Sequence, residues 1–154
     1  MRKKHTQPQV SCAVYARYFS DVQNVKGIDE QVQNCRDYAQ SRGWSIIDKH
    51  IYSDHDVIGT AKCGTHLLRL LDSGLKKMMP FQYILVDDTS RLARDVVLTV
   101  QILRRLKLNG VFICAIGQDL DTARSSTDEI LAINGMTDAK FLRQFRGSAV
   151  GKTR

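Results

Sequence analysis

The chain has 154 residues and a formal net charge of +7, enough to bury one core and too few for two large domains. Its hydrophobic and charged fractions, 43% and 25%, are those of a folded globular protein, which sets aside disordered and fibrous classes. No run approaches the roughly eighteen consecutive apolar residues of a membrane span, and the basic start, Met1 to Pro8, lacks the apolar stretch of a secretory signal, so a cytoplasmic location is expected.

In chain order, the first strand-like run is Cys12-Ala13-Val14-Tyr15-Ala16, leading into Arg17 and Tyr18. Ile28, Val32, Cys35 and Ala39 then repeat at helical spacing up to Gly43, a residue suited to closing a helix. Trp44-Ser45-Ile46-Ile47 starts a second strand that continues towards Ile51 and Tyr52. Leu67, Leu71, Leu75 and Met78 form the stripe of a second helix, with Pro80 as its stop. Tyr83-Ile84-Leu85-Val86 is the third strand. Val96, Val100, Leu103 and Leu106 mark a third helix, closed by Asn109-Gly110. The fourth strand is Val111 to Ile116, after which Gly117-Gln118-Asp119 turns the chain. A last helix starts near Ser125 to Glu129, carries Ile130, Ile133, Phe141 and Phe145, and becomes basic towards its end.

Strands and helices alternating in this way define an α/β fold. The expected architecture is a mostly parallel sheet of four or five strands with helices on both faces, followed by a long C-terminal helix. The expected organisation is a basic arm over residues 1–10, a catalytic-type domain over 11–124, and a basic helix and tail over 125–154. The two ends carry the charge: +3 over residues 1–10 and +5 over 140–154, against −1 for the rest. A near-neutral body with basic arms points to a polyanion held by the ends, or to ends that only keep the chain in solution.

Ligands of parallel sheets sit beyond the carboxyl ends of the strands, which singles out residues 17–20, 54–60, 87–94 and 117–121. Arg17 follows the first strand, and Arg91 and Arg94 follow the third, three apart and so on one face if the segment is helical. Converging guanidinium groups make a bidentate anion site of phosphate size. Asp87, Asp88 and Asp95 lie close enough in sequence to pair with these arginines instead.

At this point the residues resemble a known family. Tyr15-Ala16-Arg17-Tyr18-Phe19-Ser20-Asp21-Val22-Gln23 is similar to the Y-A-R-[VY]-S-[ST]-D-x-Q opening of serine recombinases, the resolvase/invertase family. Gly27-Ile28-Asp29-Glu30-Gln31, then Cys35, Tyr38-Ala39 and Gly43-Trp44, resemble its S-I-x-x-Q…C-x-x-Y-A…G-W stretch. Asp87-Asp88-Thr89-Ser90-Arg91-Leu92-Ala93-Arg94-Asp95 resembles its D-D-x-S-R-L-[SG]-R-D block. Ile133-Asn134-Gly135 to Phe141-Leu142-Arg143 is similar to the start of its long final helix. The likeness runs from about residue 12 to about 146.

The resemblance implies DNA as partner, a homodimer or tetramer on DNA, and site-specific strand exchange through a phosphoserine intermediate. It calls for no metal and no other cofactor. Arg17, Arg91, Arg94 and Gln31 stand at catalytic positions. Lys140, Arg143 and Arg146, at three-residue steps on the final helix, are the expected contacts to the DNA backbone. No helix-turn-helix or zinc module is expected after them.

Three positions depart from the pattern. Phe19 occupies the place of the nucleophilic serine, and a phenyl ring has no lone pair with which to attack phosphorus. Ile58-Gly59 replaces the S-G that follows Asp54, and Gly64 falls where a phosphate-binding arginine is usual. Ser90, where many members have the Asp of D-R-L, is not counted with these, since serine there is common among larger relatives. Ser20 is the nearby hydroxyl that could substitute for the nucleophile, although neighbouring strand residues face opposite ways. The expectation is therefore a recombinase-like catalytic domain that is impaired or inactive. The alternatives are a DNA-binding or oligomerising relative without activity, and a Mg²⁺-dependent phosphoryl-transfer enzyme using Asp87 and Asp88.

Other signals are weaker. Cys12, Cys35, Cys63 and Cys114 lack the paired spacing of a zinc or disulfide framework. Cys63 with His66, or His50 with Asp54 and His55, read as chance neighbours rather than metal ligands. Gly147 to Thr153 is one spacer short of a P-loop and has no strand before it.

Overall fold

The computed structural model describes residues 9–19, 27–56, 64–93 and 95–126. Five strands form one sheet: β1 (Ser11–Phe19), β2 (Ser45–Asp56), β3 (Tyr83–Val86), β4 (Phe112–Ala115) and β5 (Leu120–Asp121). Their order is β2-β1-β3-β4-β5. The first four are mutually parallel, and β5 returns antiparallel to β4. The α/β expectation of a mostly parallel sheet holds. The short fifth strand follows a turn in which Asp119 takes a left-handed conformation, φ 49°.

Side-chain alternation along β1 sorts the helices onto the two faces. Ala13 and Tyr15, with Ile84, Val86, Ile113 and Ala115, pack against α2 (Thr65–Gly74) and α3 (Val96–Leu108) through Leu67, Leu70, Val100, Leu103 and Leu106. Cys12 and Val14, with Leu85 and Cys114, pack against Cys35 and Ala39 of α1 (Ile28–Arg42). Two-sided coverage is why β3 and β4 read as continuous apolar runs.

The helix ends follow their capping chemistry. Asp29 and Glu30 sit in the first turn of α1, where the helix dipole favours acids, and Gly43 closes it at φ 69°. Asp95 caps α3 by accepting from Val97 N (2.8 Å). α2 is shorter than its leucine spacing predicts: it ends at Gly74, and Met78 is 88% exposed. Asn109 Nδ2 donates to the Gly74 carbonyl at 2.9 Å. A side chain at Gly74 would press on Leu106, with its Cβ 3.1 Å from Leu106 Cδ2. Gly74 thus lets α3 come close where α2 ends, before Pro80. The expected C-terminal helix over residues 125–154 lies largely outside the described residues. No helix among the described residues is long and apolar enough to cross a membrane.

Candidate active site

Chain order reverses direction across the sheet between β1 and β3, and the crevice beyond their carboxyl ends is where such folds bind ligands. Arg17 stands at the end of β1, and Arg91 in the 3-10 turn Thr89–Arg91 that follows β3. The structure brings these two sequence-distant arginines together: Arg91 Nη1 donates to the Arg17 carbonyl at 3.4 Å. Both are deeply set, with 1% and 7% exposure.

β1 pairs with β3 only from Cys12 to Val14, so its last residues run past the ladder on that side. The side chain of Gln31, fully buried on α1, bonds to the backbone there. Its Oε1 accepts from Arg17 N at 3.1 Å, and its Nε2 donates to Arg17 O at 3.0 Å. The amide thus acts as a strand surrogate that holds the Arg17 backbone.

Arg91 has carboxylate neighbours. Its Nη2 lies 3.6 Å from Asp87 Oδ2 and its Nε 3.7 Å from Asp88 Oδ2. These are ion-pair separations, longer than a hydrogen bond. Asp88 Oδ1 also accepts from Ser90 N (2.9 Å) and from Ser90 Oγ. The loop is tied to the far side of the sheet by Gly117 N donating to Asp87 O (2.7 Å) and Thr89 N donating to Gln118 Oε1 (3.0 Å). Pairing of Arg91 with aspartates, one of the two sequence readings, is therefore realised for Asp87 and Asp88. Asp95 is a helix cap. With a guanidinium beside both carboxylates, a divalent cation there would meet a like charge, which disfavours the Mg²⁺ reading.

A second cluster lies one strand away, and sequence reasoning did not assemble it. Asp54 of β2 is in register with Arg17 and is 8% exposed. Its carboxylate accepts from Tyr15 Oη (2.8 Å), His66 N (3.1 Å) and Leu67 N (3.0 Å), and lies 3.0 Å from His66 Nδ1. Burial by itself would raise the Asp54 carboxyl, but the hydrogen bonds from Tyr15, His66 and Leu67 outweigh it and hold it below its usual range. Asp54, near the end of β2, thus caps the start of α2. The carboxylate and the amide donors are twelve and thirteen positions apart in sequence, so no local capping pattern reveals them.

Gly64 belongs to the same arrangement. A Cβ there would lie 2.0 Å from Asp54 Oδ2, so the capping carboxylate takes the space where a side chain would begin.

His50 is turned instead to Tyr52 Oη, 2.9 Å from its Nδ1, and packs edge-on to Phe81. No group of three or more potential metal ligands exists among the described residues. Residue 19 ends β1 opposite Asp56. Ser20, Arg94, Cys63, Lys140, Arg143 and Arg146 lie outside the described residues.

Residues 12–148 match the family model described as "Resolvase, N terminal domain". The chain belongs to the resolvase family and has the catalytic-domain fold of the serine recombinases. No curated protein sequence gives a significant match. Among solved structures, the N-terminal catalytic domain of TP901-1 integrase is similar at 23% identity and a TM-score of 0.67, covering 87% of this chain and 97% of that one. A resolvase family site-specific recombinase from Streptococcus pneumoniae is similar at 16% identity and a TM-score of 0.67, covering 95% and 99%. At these identities the likeness is one of fold.

Proposed function

We propose that this chain binds the sugar-phosphate backbone of DNA as a serine-recombinase-type catalytic domain, and that it lacks the phosphoserine route to strand exchange. The observation that carries the reading is the meeting of Arg17 and Arg91 at the β1/β3 crevice, with Arg91 Nη1 3.4 Å from the Arg17 carbonyl. The Arg91 guanidinium, set against the backbone of Arg17 at the end of a rigid strand, is suited to charge developing on phosphoryl oxygens. Arg94 is assigned as the third, Gln31 supports Arg17, and Lys140, Arg143 and Arg146 track the DNA backbone beyond the domain. Assembly into dimers or tetramers on DNA follows the family pattern.

Phe19 at the nucleophile position removes the attacking oxygen, and loss of a covalent nucleophile costs on the order of 10⁴-fold or more in rate. Gly64, with Asp54 against it, removes a further cationic contact. Both changes favour a DNA-binding or oligomerising role over catalysis.

The test is incubation with supercoiled DNA, followed by denaturation, protease treatment and a search for protein-linked DNA ends. The chain itself gives none, whereas Phe19→Ser gives a detectable linked fraction. Linked ends from the unaltered chain that vanish in Ser20→Ala would replace this reading with an active enzyme using Ser20. Silence from Phe19→Ser, in a variant that still binds DNA, would remove the arginine assignment. Neutralising Lys140, Arg143 and Arg146 weakens binding and flattens its salt dependence.

A further inference from the structure

The two oxygens of the Asp88 carboxylate face different partners. Oδ1 takes both donors of Ser90, the backbone N–H at 2.9 Å and the hydroxyl, and Oδ2 is the oxygen that meets Arg91 Nε at 3.7 Å. With Oδ1 held at two points, the carboxylate has one orientation, and the free edge it presents is aimed at the guanidinium. The frame beneath is rigid. Arg91 N bonds to Asp88 O (3.2 Å), Leu92 N bonds to Thr89 O (3.1 Å), and Leu92 is anchored in the core at 1% exposure.

The contacts to Arg91 are long enough to orient it without directional hydrogen bonds to the carboxylates. A phosphate, which makes short charge-assisted bonds, can therefore take up Arg91 donors without breaking an optimised pair.

We propose that Asp88, locked by Ser90, is the positioning residue that sets Arg91 for a phosphate. The inference rests on the reading of Arg91 as a phosphate ligand. Ser90 is exposed, so replacing it leaves the core intact.

The experiment is side-chain ¹⁵N NMR of the full chain, with the Arg91 Nε–H signal identified by its loss in Arg91→Lys, and titration with inorganic phosphate. Ser90→Ala keeps every charge and removes only the hydroxyl. It is expected to shift the Arg91 signal, speed its exchange with water, and weaken phosphate binding about tenfold. Ser90→Thr restores both, and Asp88→Asn moves the signal as Ser90→Ala does. Thermal stability stays near that of the unaltered chain in Ser90→Ala, which separates positioning from folding. An Arg91 signal unchanged in both Ser90→Ala and Asp88→Asn would overturn the proposal. A signal that responds to both variants but not to phosphate would leave the positioning in place and remove Arg91 as a phosphate ligand.

Discussion

The side-chain amide of Gln31 lies against the peptide backbone of Arg17 like a neighbouring strand, accepting from its N–H at 3.1 Å and donating to its carbonyl at 3.0 Å. Gln31 therefore acts on the site through the position of β1. Removing it by Gln31→Ala deprives two buried backbone groups of a partner and costs about 1–3 kcal/mol. A fall in the urea midpoint with an unchanged slope checks this. Gln31→Glu keeps the acceptor and sets an anionic oxygen against the Arg17 carbonyl, so its loss is larger at neutral pH. That loss lessens in acid, where protonation restores a donor.

Asp54 makes stability depend on pH. Its carboxyl is held below the usual value of 3.8 in the folded chain, so the unfolded chain takes up the proton first as pH falls. The contribution is fully present above about pH 5 and disappears as pH drops through the folded-state value. Denaturation midpoints from pH 7 down to pH 2 are expected to show this fall, and Asp54→Asn to reduce its steepness. An Asp54→Asn curve parallel to that of the unaltered chain would contradict the assignment.

Gly64 is required by the same carboxylate. Gly64→Ala places a methyl group 2.0 Å from Asp54 Oδ2, so the carboxylate must leave its donors, at a cost of about 1–3 kcal/mol for the buried amides left behind. Gly64→Arg meets the same obstacle at its first side-chain atom. Introduced beside Phe19→Ser, it is expected to lower the melting temperature below that of Phe19→Ser alone and to add no linked DNA ends. A gain in linkage without loss of stability would show that Asp54 gives way freely.

Three thiols are predicted to be inert in the folded chain. Burial pushes Cys12 and Cys35 up to about 12 and raises Cys114 as well, so the reactive thiolate is scarce at pH 8. In a Cys63→Ser background, a disulfide reagent such as DTNB is expected to label none of them until denaturant is added. Rapid labelling under native conditions would mean that the α1 face of the sheet opens readily.

The sequence carried much of the fold in a readable form. β3 lies where its apolar run predicted, and α1 and α3 begin and end close to their periodic stripes, because each is stabilised by local chemistry: Gly43 at a positive φ and the Asp95 cap. The end of α2 was not legible, since the side chain that satisfies its last carbonyl, Asn109, lies more than thirty residues away. The pairing of Arg91 with Asp87 and Asp88 was one of two readings, because spacing of three or four permits it without requiring it.

By itself the chain of letters determined the layering of strands and helices, the family, and which arginines follow which strands, because periodicity and order along the chain are written residue by residue. Only the tertiary structure decided that Gln31 braces a strand, that Asp54 of β2 caps α2, and that Gly64 has no room for a side chain. Each of those depends on groups far apart in sequence meeting in a closely packed interior, where a distance of an ångström sets whether two atoms bond or collide.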